Sequence, residues 1–384
     1  MRKVGLWNIW HAAALVFGTI VGAGVLGLPY ALAQTGPLAG IAVLVVAGAM
    51  LTLLMLFLGE VSLRTGEKHQ LTGYAKQHLG NTAKHILALA LVVNIYGAML
   101  AYTIGQGEVI ESVFGGNAVL WSGLFFGVGG VVIALGINVI KYVEAWLTII
   151  ILALLSVVMV LAAPSIEVSN LSIGQVNASN LLVVYGIALF ACFGLTAVPQ
   201  ARDVLFTAPK RQLRTALVLG GVLPVGIYAV FATVVIGVTG AETTGVATIG
   251  LGEVAGPHIL VLGSVFAFFA MATSFLALGL ALRNVFHRDY GFSVGSASLI
   301  TLTVPAILFA FGVRDFISVL SIVGAFALGV VGVVGTLTYL ASRRTMTRSE
   351  QTLVPHVAGQ ILGVLLILMF LASVLFVVYD NFLL

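Results

Sequence analysis

Of the 384 residues, 60% are hydrophobic and only 8% are charged, with a mean hydropathy of +1.17. Soluble domains carry roughly 25% charged residues, so this composition excludes a soluble domain and points to an all-α polytopic membrane protein. The excess of 17 Lys and Arg over 13 Asp and Glu bears on orientation in a lipid bilayer rather than on nucleic acid, and a lone cysteine, Cys192, rules out an intrachain disulfide.

Arg2 and Lys3 precede an apolar run that is too long for a signal peptide and is followed by no cleavage site in a polar context, so the run is expected to be the first membrane span. Walking the chain for apolar stretches of about 20 residues predicts eleven spans, near residues 12–32, 38–63, 86–110, 118–137, 143–163, 181–199, 215–238, 259–282, 292–311, 316–340 and 357–378. With the N-terminus in the cytoplasm, every Lys and Arg except Arg314 falls in a cytoplasmic segment, as the positive-inside rule requires. An odd number of spans then leaves the C-terminus on the outer side, and a plasma-membrane location is expected.

The first span is interrupted by Gly18-Thr19-Ile20-Val21-Gly22-Ala23-Gly24, followed by Gly27 and Pro29. Each glycine weakens a helix by about 1 kcal/mol relative to alanine. A spanning segment that keeps three of them in seven residues is expected to use the opened backbone to line a cavity. The sixth span carries a second interruption, around Cys192-Phe193-Gly194 and ending at Pro199. The two sit five spans apart, and five is odd, so two five-span halves enter the bilayer with opposite polarity. The expectation is an inverted repeat of residues 1–163 and 164–348, with 349–384 adding the eleventh span. The competing account of both runs is small residues for close helix packing.

The run from Gly18 to Ala31, followed by Gln34-Thr35-Gly36, resembles the first-span signature of the amino acid/auxin permease family, with kinship to bacterial tryptophan and tyrosine permeases. Gly97-Ala98-Met99-Leu100-Ala101-Tyr102 of span three resembles the corresponding stretch of neutral amino acid transporters in that family. The resemblance implies the five-plus-five fold of the sodium-coupled leucine transporter, with broken spans one and six and an added span eleven.

Chemistry follows from the opened backbone. Amides at Gly22, Ala23 and Gly24, at the start of a new helix, can hold a carboxylate without a cationic side chain. Carbonyls around Thr19 to Val21, and around Phe190, Ala191 and Cys192, can accept from an ammonium. Few ionisable residues lie at midspan, so a neutral amino acid is the expected substrate. Phe190, Phe193 and Tyr102, with Asn94 or Tyr96, are candidates for the pocket wall, against ordinary core packing; Cys192 carries the same ambiguity.

Ala270, Thr273 and Ser274 of span eight share one helical face. By position, the resemblance implies a sodium site made of the carbonyls of Gly18, Val21 and Ala270 and the hydroxyls of Thr273 and Ser274; the alternative is hydroxyls that bond back to their own helix. Sodium is expected as the coupling ion, with no other cofactor. Proton coupling is the rival. The body of span five holds no ionisable residue, whereas Glu60, Glu108 and Glu111 lie near span ends, where pairing or solvation competes with proton carriage. Exchange without a driving ion is also open. Arg2 or Lys3 with Asp203 or Asp289 could latch an inner gate. No His pair has ligand spacing, and no midspan nucleophile with a base is visible, so an enzyme is not expected. The expected function is sodium-coupled symport of neutral amino acids by alternating access. The other readings are a proton-coupled or exchange carrier of aromatic amino acids, and a sensor or channel.

Overall fold

The computed structural model describes residues 6–65, 69–136, 140–206, 208–345 and 352–382, which are helical over most of their length. Where one straight first span would stand, there are two helices, α1 (Leu6–Ile20) and α2 (Gly24–Thr35), bent by 61° across the intervening residues. Next come α3 (Pro37–Thr65), a short α4 (Leu71–Leu79) and the long α5 (Asn81–Phe114). Gly80 alone separates α4 from α5, at φ 89°, a conformation that glycine adopts without a Cβ penalty. Asn117 starts α6 (Ala118–Leu135) by accepting from the Val119 amide at 2.8 Å. α7 is Ile140–Ala162.

Asn177 caps α8 (Ala178–Ala191) in the same way, through the Asn180 amide. The chain continues through α9 (Val198–Val204), α10 (Lys210–Thr239), α11 (Ala247–Ala255), α12 (Pro257–Asn284) and α13 (Val294–Ala310). It finishes with α14 (Phe316–Ile322), α15 (Leu328–Thr345) and α16 (His356–Phe382), a π-helical turn at Val323–Ala327 joining α14 to α15.

Among the described residues eight helical segments are long and apolar enough to cross a membrane, or nine when the bent pair α1–α2 counts as one span. Two shorter apolar segments, Ile149–Ser165 and Val294–Ala310, stand where spans five and nine were expected. At 34 residues α5 is about 51 Å long, more than a hydrocarbon core of about 30 Å, so its ends reach beyond the apolar layer or it tilts. Helices α4 and α11, nine residues each, lie outside the span scheme and are too short to cross. The π turn inside the tenth span was also unforeseen, because its sequence, Val-Gly-Ala-Phe-Ala, is as apolar as the helices around it.

Lipid tails are as apolar as leucine, so helices in a bilayer gain from close backbone approach more than from leaving water. Small residues mark those approaches here. Helix α10 holds α1 on one flank and α3 on another. A Cβ on Gly220 would stand 2.6 Å from Val16 Cβ, and one on Gly59 would stand 2.7 Å from Leu217 Cδ1. The π turn presses Gly324 against the Gly186 backbone of α8, with Phe190 Cβ at 3.2 Å from where a Cβ would lie. Helices α5 and α12 pair at the centre of the remaining elements, α12 also contacting α7 and α5 also contacting α15.

Candidate functional site

The first break leaves Val21, Gly22 and Ala23 outside any helix. Val21 still donates to Phe17 O at 2.8 Å, and the new helix is entered by a single turn in which Leu26 donates to Ala23 O at 3.1 Å. Among the described residues the amides of Ala23 and Gly24 have no backbone acceptor, while the Gly22 amide faces the Tyr228 hydroxyl. Bare amides at a helix start form an anion site, since the N–H groups and the helix dipole both present positive charge.

The second break is gentler. Helix α8 stops at Ala191, Cys192 to Gly194 are irregular, and a 3-10 turn at Leu195–Ala197 leads into α9. The amides of Gly194 and Leu195 find no backbone acceptor among the described residues.

The two breaks touch each other. A Cβ on Gly24 would stand 2.6 Å from Ala191 Cα, and a Cβ on Gly194 would stand 2.6 Å from Ile20 Cγ1, so each glycine admits the other broken segment. Tyr228 of α10 joins them from behind: its buried hydroxyl lies 2.8 Å from the carbonyl of Ile20 and 3.3 Å from that of Ala191, the last residues of α1 and α8. Those carbonyls are orphaned where the helices stop, and a buried orphan costs roughly 1–3 kcal/mol. Tyr228 was not singled out in the sequence, because one tyrosine in an apolar run carries no periodic signal.

In front of the breaks lies a cavity of about 1560 Å³. Of the residues proposed from sequence for substrate, it is lined by Thr19, Gly22, Ala23, Gly24, Tyr102, Phe190, Ala191 and Phe193. Cys192 is 2% exposed and lies behind the wall rather than in it. Asn94 lines the cavity, whereas Tyr96 points elsewhere and donates to Ile300 O at 3.1 Å. The Tyr102 and Phe190 rings meet edge to face with centroids 6.3 Å apart.

All five groups proposed for an ion, Gly18, Val21, Ala270, Thr273 and Ser274, line the same cavity. Ser274 reaches across to the break: a Cβ on Gly22 would stand 3.2 Å from Ser274 Oγ, and the Tyr102 hydroxyl also faces Ser274. Thr273 donates to Phe269 O at 2.8 Å, with Ala270 O at 3.3 Å. The hydroxyl thus bonds back to its own helix, yet spending its proton there leaves oxygen lone pairs free to face a cation.

The cavity reaches the side that carries α4, the start of α5 and the end of α12, where Lys76, Lys84 and His85 line its mouth. No Asp or Glu lines it among the described residues. On the opposite side the way is closed by the start of α14. Phe316, Ile317 and Leu320 are buried there against Gly27 of α2, and Phe316 also lies against Gly105 of α5.

Of the gate residues proposed from sequence, Arg2 and Lys3 lie outside the described residues, as does the side chain of Asp289. Asp203 borders a separate cleft of about 110 Å³ beside Arg202 and Tyr74. Glu60 is fully buried and paired: Oε1 lies 2.9 Å from both Arg64 and Arg343, and Oε2 accepts from the amides of Leu353 (2.9 Å) and Val354 (3.2 Å). Every lone-pair direction of that carboxylate faces a donor, which suits a clamp tying the end of α3 to α15 and to the approach of α16. Glu108 and Glu111 do not line the cavity.

Helices broken around a midspan cavity, inside a polytopic bundle, define a membrane carrier fold. The chain belongs to the tryptophan/tyrosine permease family, which it matches over residues 7–378. The family is one of permeases, and the chain is not an enzyme. It is 24% identical over 329 residues to Glutamine transporter 2 of Aliivibrio fischeri, covering 83% of this chain and 85% of that one. It is 24% identical over 316 residues to Tyrosine-specific transport system 1 of Haemophilus influenzae, covering 77% and 78%. Its fold matches that of MhsT, solved in complex with L-phenylalanine, with a TM-score of 0.66 at 17% identity over 98% of this chain and 99% of that one. The match is to the tryptophan and tyrosine permease kinship expected from the first-span signature.

Proposed function

We propose that this permease carries neutral L-amino acids across the plasma membrane by alternating access, coupled to sodium. The observation that carries this reading is the contact of two broken helices at the head of one cavity, where the amides of Ala23 and Gly24 have no backbone acceptor among the described residues. A carboxylate placed there meets helix-start amides, and the ammonium of the same molecule lies within the reach of helix-end carbonyls. No carboxylate lines the cavity among the described residues, so a cationic side chain finds no partner; this favours a neutral substrate. The named relatives, one a glutamine transporter and one tyrosine-specific, are consistent with such a substrate.

Sodium is held, in this reading, by the carbonyls of Gly18, Val21 and Ala270 with the hydroxyls of Thr273 and Ser274. Neutral oxygens suit a weakly bound monovalent ion, whereas divalent ions recruit carboxylates. The ion touches both the break and α12, so it stabilises whichever arrangement brings Gly22 and Ser274 together. Proton coupling is disfavoured by the pairing of Glu60 and by the lack of acids on the cavity wall among the described residues.

The division into residues 1–163, 164–348 and 349–384 is supported by matched pairings. The contact of α1 with α10 is answered by that of α8 with α3, and the contact of α12 with α7 by that of α5 with α15. With the basic face in the cytoplasm, the form described is open inward and sealed outward by Phe316, Ile317 and Leu320. Uptake of a panel of labelled amino acids into proteoliposomes tests the proposal when sodium and proton gradients are imposed separately. Accumulation driven by sodium is expected; accumulation driven by protons alone would remove the ion assignment, and binding without accumulation would indicate a sensor.

A further inference from the structure

Among the described residues, the cavity wall holds a buried polar side chain with no hydrogen-bond partner. Asn94 of α5 is 5% exposed and lines the cavity, its Oδ1 has no partner, and its Nδ2 makes no hydrogen bond among the described residues. Turning the carboxamide plane over changes nothing, because neither end is engaged. Burying such a group without a partner is unfavourable, so its place in a binding cavity calls for a partner that arrives from outside.

Its position says which part of a ligand it meets. Asn94, Ala98 and Tyr102 follow one another at four-residue intervals, so they form a stripe on one face of α5, and all three line the cavity. Tyr102 is at the level of the first break, facing Ser274. Asn94 lies about 12 Å further along the axis, toward the mouth, and helical side chains lean toward their N-terminus, so the Tyr102 ring leans into that gap. Ala98 is the floor between them. On α12, beyond Ser274, Ala277 and Ala281 line the cavity beside Leu278 and Leu282. The cavity thus runs from the bare amides to an unpaired carboxamide.

We infer that Asn94 determines side-chain specificity by hydrogen bonding the far end of a long, uncharged polar side chain, an amide or a hydroxyl, whose main-chain groups occupy the broken helices. This rests on the proposed amino acid carriage and adds the substrate class to it. A site with a buried polar group rejects an analogue that leaves the group unpaired far more strongly than an apolar pocket rejects a misfit of shape.

The test compares substrates matched in shape and different in the terminal polar group: L-tyrosine against L-phenylalanine, and L-glutamine against L-norleucine. Both pairs are run as competition for uptake in proteoliposomes, with the wild type, Asn94→Leu and Asn94→Ala. The wild type is expected to favour the polar member of at least one pair by about tenfold or more in apparent affinity, and the pair that shows it names the source. In both variants the ratio should fall toward one, and an unchanged unfolding temperature in detergent certifies the fold. A wild type that accumulates these amino acids with no such preference, or variants that keep it, would overturn the role of Asn94. A wild type that accumulates no amino acid would instead overturn the carriage on which the inference rests.

Discussion

The hydroxyl of Tyr228 stands 2.8 Å from the carbonyl oxygen of Ile20, at the point where the first span stops being a helix, and its other near neighbour is the carbonyl where α8 ends. One side chain of α10 thus satisfies backbone that the breaks leave open, while the Gly22 amide faces the same oxygen. Removing only the hydroxyl keeps the ring in its packing. Tyr228→Phe is expected to lower stability by about 1–2 kcal/mol and to weaken substrate binding, because the opened segment loses its tether. Thermal unfolding in detergent and a binding titration check both; an unchanged affinity would mean that the break holds itself open.

Gly24 and Gly22 differ in what surrounds them, and so should their alanine variants. A Cβ on Gly24 meets the Ala191 main chain at 2.6 Å, which cannot yield without parting the two breaks. A Cβ on Gly22 meets only the Ser274 hydroxyl at 3.2 Å, which can rotate away. Gly24→Ala is therefore expected to abolish substrate binding, and Gly22→Ala to reduce sodium dependence while retaining substrate binding. Titrations of substrate and of sodium on each purified variant separate the two outcomes.

The ion assignment predicts that Thr273→Ala and Ser274→Ala, together, remove the stimulation of uptake by sodium. Sodium-driven uptake that survives the double variant would place the ion elsewhere.

Glu60 offers a contrast between clamp and proton carrier. Glu60→Gln leaves Arg64 and Arg343 without their buried anion, and breaking such a pair costs about 3–5 kcal/mol. A lower unfolding temperature is expected, with an unaltered pH profile of transport in the folded fraction. A shifted pH profile would make Glu60 part of the coupling path.

These features differ in how far the sequence exposes them. The first break was legible because three glycines in seven apolar residues have few other uses, and the basic residues on one side set an orientation before any coordinate. The second break was legible mainly through Gly194, and its gentler course matches that weaker signal. The five residues of the ion set came from positional resemblance, and each of them borders the cavity. What stayed hidden has a common cause: it depends on partners distant in the chain. Tyr228 reaches Ile20 across 208 residues, and Arg343 reaches Glu60 across 283. At the π turn Val323–Ala327, Gly324 approaches Gly186, and no local composition distinguishes the turn from helix. Asn94 was visible as a polar residue in an apolar span; its lack of any partner was not.

The central claim is that bare amides at the start of α2 hold the acid end of an amino acid. Binding of L-tyrosine and of L-glutamine to the purified protein, each compared with its own methyl ester, tests this most directly, since the ester keeps the side chain and ammonium and removes only the negative charge. The account predicts that the acid which binds does so at least about a hundredfold more tightly than its ester, as a charge-assisted set of hydrogen bonds requires. Equal binding of acid and ester would contradict it.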